Sequence, residues 1–163
     1  MNPKTVQEAL EKIIEKYKLP ELKELDRELE IIDIISERRE LPQNLLIVIR
    51  RRLTELIYSW INFLHSLVIP NQQSIIANKD AETFNEKEKD QIYKTMAVLT
   101  KITRESTSFE AEKGKYKEEA KFVTESFKKY IEIKKELAAL NSKIIAFWEK
   151  EIGLQKAGLL DKS

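Results

Sequence analysis

Three consecutive arginines in the stretch VIRRRLTELIYSW are the residues of this sequence best suited to hold a charged partner. A guanidinium presents a rigid fork of N–H donors that matches a carboxylate or a phosphate. Since successive helical residues are turned by about 100°, Arg50, Arg51 and Arg52 fan over roughly 200° and cannot form one flat patch. Arg52 flanks the apolar face. Arg51 falls on the polar face, four residues from Glu55, which predicts a surface ion pair.

Arg50 falls inside the edge of the apolar face, where its charge needs a partner. Asp33, in the segment IIDIIS, is a carboxylate surrounded by isoleucines, so it would need a cationic partner. We therefore predict a buried ion pair between Asp33 and Arg50, with Arg38 as the other possible partner of Asp33. The alternative interpretation is a cluster that contacts nucleic-acid phosphates. That cluster would consist of Arg38, Arg39, Arg50, Arg51 and Arg52.

Acidic residues at 4-3-4 spacing form a second candidate site on the predicted second helix. They are Asp26, Glu30, Asp33 and Glu37. A di-iron site in a helical bundle needs Glu-x-x-His motifs, but the single histidine, His65, follows Asn62 at that spacing. We expect a solvated or ion-paired face and no metal. With no cysteine nucleophile, P-loop or dinucleotide fingerprint, we also expect no catalytic residue, no cofactor and no small-molecule substrate.

Composition favours a helical protein. The 163 residues include three Gly, four Pro and no Cys, while 42% are hydrophobic and 35% are charged. Few turn residues and many charges are typical of helices rather than of a sandwich or barrel. The Lys/Glu/Ile-rich composition also resembles that of thermophilic proteins. With 29 basic against 28 acidic residues, the chain lacks the strong positive charge of a nucleic-acid-binding domain.

Periodic apolar residues mark the helices of the first half of the chain. Thr5 and Glu8 have the spacing of a capping box and predict the start of the first helix. We expect a second helix over about 21–39 and a third over about 43–68, each with apolar residues three and four apart. The segment NQQSIIANKD, residues 71–80, is predicted to be a polar loop.

From Asn85 onward, where Asn85 and Glu88 repeat the cap spacing, apolar residues recur every seven positions. They are Ile102, Phe109, Tyr116, Val123, Tyr130, Leu137 and Ile144. Heptads kept in phase over this length predict a long helix that supercoils against a partner. Thr107 could instead cap a new helix and Gly114 could end one, so one long helix and a helix pair are both open. We expect a frayed tail over residues 153–163.

The last segment holds the most specific indication of function. Beside the heptad row, the adjacent row reads Ala120, Phe127, Lys134, Asn141 and Trp148. Polar Lys134 and Asn141 in a helical seam would fix register and select a partner; alternatively, the stripe turns slowly and leaves both at its edge. The predicted partner-binding face uses its aromatic residues as anchors. It comprises Tyr130, Lys134, Leu137, Asn141, Ile144 and Trp148.

Together these patterns predict an all-α protein: an antiparallel bundle of four to five helices in a single domain over residues 1–152, with a long coiled-coil-like C-terminal helix or helix pair. We expect a non-enzymatic helical interaction or scaffold subunit that binds itself or another helical protein. The alternative is a small accessory subunit of a nucleic-acid-binding complex that uses the arginine cluster. Without a secretory signal or about 18 consecutive uncharged apolar residues, we expect a cytoplasmic protein and no membrane partner.

Overall fold

A computed structural model describes the backbone of residues 1–156 and the burial of side chains through residue 154. Over that range the chain forms seven α-helices and no strand, which confirms the predicted all-α class. The helices are α1 (Pro3–Tyr17), α2 (Leu22–Leu29), α3 (Ile31–Ser36), α4 (Leu45–Val68), α5 (Ile75–Glu82), α6 (Glu86–Ala111) and α7 (Tyr116–Lys156). Residues 157–163 of the predicted tail lie outside the described part, and α7 continues through residues 153–156.

The first helix starts earlier than the capping-box spacing predicts. Asn2 is its cap, and the side-chain oxygen of Asn2 accepts a hydrogen bond from the backbone N–H of Lys4 at 2.9 Å. Pro3 occupies the first helical position, where its fixed φ and missing N–H cost nothing. Thr5 therefore lies inside α1, and the predicted capping role of Thr5 is wrong.

The predicted second helix is divided into α2 and α3 at a single residue. Glu30 adopts a left-handed conformation with φ of 51°, and its N–H donates to the carbonyl of Asp26 at 2.8 Å. The side chain of Asp26 then accepts a hydrogen bond from the N–H of Ile32 at 2.8 Å, at the start of α3. These two bonds satisfy backbone groups that the break in the helix would otherwise leave unpaired.

The segment predicted to be a polar loop contains the short helix α5. Ser74 caps it, since its hydroxyl accepts a hydrogen bond from the N–H of Ala77 at 3.2 Å. The cap predicted for the next helix is confirmed: the backbone N–H of Asn85 donates to Glu88 at 2.9 Å, and the N–H of Glu88 donates to Asn85 at 3.0 Å. This reciprocal pair is a capping box.

The C-terminal half forms a helix pair, which was one of the two arrangements left open by the sequence. Helix α6 ends at Ala111 and α7 begins at Tyr116. Between them Gly114 has a φ of 94°, a conformation that side-chain-bearing residues rarely adopt. The heptad phase is nevertheless kept across this turn, so sequence periodicity alone does not reveal the break.

The chain divides into two compact units. Unit 1 contains Met1–Ile61 and Ala97–Tyr130, and within it α1 packs against α3. Its core is mainly aliphatic, and burying each large side chain contributes about 1.5–3 kcal/mol. The largest fully buried side chains are Leu10, Leu25, Leu29, Ile31, Ile35, Leu46, Ile49, Leu53 and Ile57.

Unit 2 contains residues 62–96 and residues 131–156 of the described part of the chain. Its core draws on α4, α5, α6 and α7. The buried apolar side chains are Leu64, Leu67, Ala81, Phe84, Ile92, Ile133, Leu137 and Ile144. The prediction of a single domain ending at residue 152 stays a prediction.

Candidate functional site

Arg50 is buried in unit 1 and surrounded by hydrogen-bond acceptors. Its side chain is 2% exposed. Nε donates to Oε1 of Glu119 at 2.6 Å, and Nη2 donates to Oε1 of Glu110 at 2.7 Å. Nη1 donates to the carbonyl oxygen of Ser106 at 3.1 Å and to its hydroxyl at 2.9 Å. Every nitrogen of the guanidinium therefore has an acceptor, which offsets the large cost of burying its charge.

The two glutamates belong to the two helices that the α6–α7 turn connects. Glu110 lies in the last turn of α6, and Glu119 lies in the first turn of α7. Arg50, on α4, bonds both of them. This arrangement holds the end of α6 and the start of α7 against one side chain, so its local role is to fix the helix pair.

Asp33 does not take part in this cluster. It is exposed on α3, whereas its neighbours Ile31 and Ile35 are buried. The break at Glu30 sets the rotation of α3, and that rotation turns Asp33 to solvent. The predicted ion pair between Asp33 and Arg50 is therefore wrong. The carboxylates that bond Arg50 are those of Glu110 and Glu119, which lie 60 and 69 positions away in the sequence.

Arg51 bonds both oxygens of Glu110, each at 2.8 Å. The predicted partner of Arg51, Glu55, instead lies 3.4 Å from Arg52, so the predicted Arg51–Glu55 pair is also wrong. Nε of Arg52 donates to the carbonyl of Leu29 at 3.0 Å. Leu29 is the last residue of α2, and a cation at the C-terminal end of a helix interacts favourably with the helix dipole.

The paired arginines shift the acid–base equilibrium of Glu110. Hydrogen bonds from Arg51 and then from Arg50 favour the charged carboxylate, and they lower the pKa of Glu110 from 4.5 to about 2. The same contact with Glu110 raises the pKa of Arg51. These shifts are typical of a structural ion-pair network, although functional sites also produce them.

The other two arginines of the predicted nucleic-acid cluster lie elsewhere. Arg38 and Arg39 are exposed in the connection between α3 and α4. Arg50 and Arg51 already contact carboxylates. The structure therefore does not present the five arginines as one free cationic patch.

The four acidic residues at 4-3-4 spacing also do not form one site in the structure. Glu30 breaks the helix, Asp26 bonds the backbone of α3, and Asp33 and Glu37 are exposed. Among the described residues, no group of three or more His, Cys, Asp and Glu side chains is placed to hold a metal ion. His65 is exposed on α4.

The predicted partner-binding face divides into a buried and an exposed part. Tyr130 and Leu137 are buried at 2% and 0% exposure, and Ile144 is buried as well. These three side chains belong to the interior of the chain and are not available to a partner. In contrast, Lys134 and Asn141 are exposed.

Trp148, the last residue of that predicted face, is half-buried in unit 2. Its Nε1 donates a hydrogen bond to Oδ1 of Asp80, on α5, at 2.7 Å. Close by, Lys79 lies 3.9 Å from Glu151. Trp148 therefore links α7 to α5 and lies at the margin of the exposed surface.

The sequence reasoning missed two exposed apolar residues on α7. Ile145 and Ile152 are each 50% exposed. They follow Ala138 at intervals of seven residues, which places them on one side of the helix. We call the exposed residues at this 4-3 spacing the exposed row of α7: Lys134, Ala138, Asn141, Ile145 and Ile152. The signal was present in the sequence as a second heptad row beside the buried one.

Unit 2 exposes further large apolar side chains. Ile75, at the first position of α5, is 78% exposed, and several others are more than half exposed. They are Ile69, Ile76 and Tyr93. A groove of about 320 Å³ also opens between α6 and α7, lined by Ile92, Ala139 and Leu140 among others. Large exposed apolar side chains are available to bind another protein where they form a contiguous patch.

Comparisons of the chain with protein families, with curated proteins and with solved structures found no match. Among the described residues, none of the helices combines the length and the apolar character that crossing a membrane requires. The functional argument therefore depends on the geometry of the chain itself.

Proposed function

We propose that this protein is a non-enzymatic helical interaction subunit of the cytoplasm, and that the exposed row of α7 binds a helical partner. The observation that carries the proposal is the half-exposure of Ile145 and Ile152, which lie seven residues apart on a helix whose neighbouring row, Leu137 and Ile144, is already buried. Two isoleucines at heptad spacing present a strip that another helix can cover along its length.

The polar members of the exposed row add selectivity to this apolar strip. Lys134 and Asn141 lie within the same 4-3 spacing as the isoleucines. Polar residues at such positions reduce the stability of a helix pair but restrict which partner and which register are accepted. A partner helix would need an acceptor opposite Asn141 and apolar side chains opposite Ile145 and Ile152.

The alternative function, phosphate binding by the arginine cluster, has less support. Arg50 and Arg51 are engaged by Glu110 and Glu119, so a phosphate would have to compete with two carboxylates. Nucleic-acid affinity draws on many free Lys/Arg contacts, and the chain carries a net charge of only +1.

The proposal is tested by purifying the tagged chain from cells of its own source and measuring the mass of the native complex. We expect a mass above the 19.2 kDa of one chain, and its loss in the double variant Ile145→Asp/Ile152→Asp. Tyr58→Asp is the matched control, since Tyr58 is 58% exposed on the unit 1 part of α4. A complex that survives the double variant would contradict the proposal.

A further inference from the structure

The charges beside the exposed row of α7 are arranged so that the helix is complementary to itself. Lys135 and Glu149 are both exposed, and neither forms an ion pair within the described part of the chain. They lie seven residues before and seven residues after Ser142, which is also exposed. A two-fold axis at Ser142 therefore places each lysine level with the glutamate of an antiparallel second copy.

We propose that the helical partner is a second copy of this chain, and that two α7 helices pair antiparallel about Ser142. This inference rests on the proposed function, because it assigns the occupant of the same exposed row. In a two-fold contact every interaction occurs twice. The pair therefore contains two symmetric ion pairs, Lys135 with Glu149 of the second copy and the reverse.

The same axis matches large apolar side chains with small ones. Ile145 comes level with position 139 of the second copy, one residue from Ala138. Ala138 and Ile145 are seven residues apart and differ by only about 20° around the helix, so Ala138 of one copy lies on the same side of the contact as Ile145 of the other. Ala138 is exposed. Small residues opposite an isoleucine leave room for its side chain when two helices approach to about 8–10 Å.

The like charges of this segment do not oppose the pairing. Lys134 comes level with Lys150 of the second copy, but these positions are 16 residues apart. At about 100° per residue they point about 160° away from each other around the helix. Lys135 and Glu149 are 14 residues apart and differ by only about 40°. The complementary charges therefore share a side of the helix, and the two lysines do not.

The contact through the exposed row and its two-fold mates spans residues 132–152 of each copy, a length of about 30 Å at ~1.5 Å per residue. A contact of this length is at the small end of specific interfaces, at roughly 1,200 Å². We therefore expect a dimer that dissociates on dilution, and the experiment must cover a wide range of protein concentration.

The test is a charge exchange followed by sedimentation equilibrium of the purified full chain. Lys135→Glu and Glu149→Lys should each weaken dimerisation by about tenfold, because each replaces two attractive pairs with two repulsive ones of a few tenths of a kcal/mol each. The double variant Lys135→Glu/Glu149→Lys should recover the dissociation constant of the unaltered chain to within about threefold. Lys87→Glu, an exposed lysine on α6, is the matched control and should have no effect.

In a parallel pair each of these residues would face its own copy, and Lys135 would lie about 20 Å from Glu149 along the helices at ~1.5 Å per residue. Neither single exchange would then change the dissociation constant. Single exchanges without effect, or a double variant that does not recover dimerisation, therefore overturn the antiparallel register. A recombinant chain that stays monomeric at every concentration overturns the inference as a whole. The proposed function would still stand if the chain from its own cells remained in a larger complex that Ile145→Asp/Ile152→Asp disrupts.

A second measurement uses the absence of cysteine from the sequence. Ser142→Cys introduces a single thiol at the two-fold axis, so a short bis-maleimide should join two copies in high yield. Lys87→Cys is the control and should remain largely monomeric. Equal yields for the two variants would contradict the position of the axis.

Discussion

Nε of Arg50 donates a hydrogen bond of 2.6 Å to Oε1 of Glu119, and the side chains of both residues are at most 5% exposed. The two residues are 69 positions apart in the sequence. A buried ion pair of this kind adds little net stability relative to apolar residues, but losing one partner leaves a charge in the interior. The pair therefore holds the α6–α7 turn against α4, because any arrangement that separates Arg50 from Glu119 would leave a buried charge without its partner.

Glu119→Ala should lower the free energy of unfolding by about 3 kcal/mol, because Arg50 then keeps its charge with one carboxylate fewer. Asp33→Ala is the control, since Asp33 is exposed, and it should change the free energy by less than about 0.5 kcal/mol. Urea denaturation followed by circular dichroism measures both. Equal stability of the two variants would show that the pair is unimportant.

Replacing both members of the pair should be less damaging than removing one. In Arg50→Leu/Glu119→Leu no buried charge remains without its partner, so the loss should be smaller than in Glu119→Ala. The same urea series measures it. A double variant that is less stable than Glu119→Ala would indicate that packing around Arg50, rather than its charge, holds the helices.

Lowering the pH should reduce the contribution of Glu110 to the stability of the folded chain. Its pKa is lowered to about 2 in the folded chain, so this stabilisation is fully present above the ordinary value near 4.5 and is lost as the pH falls towards 2. Because the Glu110 side chain is 39% exposed, solvent screens its ion pairs, and we expect them to contribute about 1 kcal/mol to the free energy of unfolding. The stability difference between the unaltered chain and Glu110→Gln should shrink over this interval, and a constant difference would refute the assignment.

Trp148→Phe should destabilise unit 2 by about 1–2 kcal/mol. The substitution keeps an aromatic ring but removes the N–H that bonds Asp80 at 2.7 Å, which leaves a charged acceptor without this donor. Asp80→Ala should have a similar effect, and the two changes together should not add. Denaturation of the single and double variants measures this coupling. Strict additivity would mean that the hydrogen bond contributes nothing.

Asn85→Ala should cost about 1 kcal/mol, because the side chain of Asn85 satisfies the N–H of Glu88 in the first turn of α6. Lys87→Ala, at an exposed position two residues on, is the control and should change stability by less than about 0.5 kcal/mol. Thermal denaturation should show a loss of several degrees for Asn85→Ala only. A larger loss for Lys87→Ala would contradict the role of the cap.

The sequence predicted the helical class and the main helices well, because apolar periodicity and caps are local signals. The Asn85–Glu88 cap and the helix that contains the arginines follow directly from residues a few positions apart. The break at Glu30 was missed. A left-handed glutamate has no propensity signature, and it forms only because Asp26 and the surrounding packing stabilise it.

The partners of charged residues were decided by the tertiary structure alone. The sequence placed Arg50 on an apolar face and so required an acceptor, but it could not select Glu119 over Asp33. Similarly, the heptads determined that α7 carries adjacent apolar rows, while folding decided that Leu137 and Ile144 are buried and Ile145 is exposed. Spacing within one helix is fixed by its own geometry, whereas the choice of the covered side depends on helices that are distant in sequence.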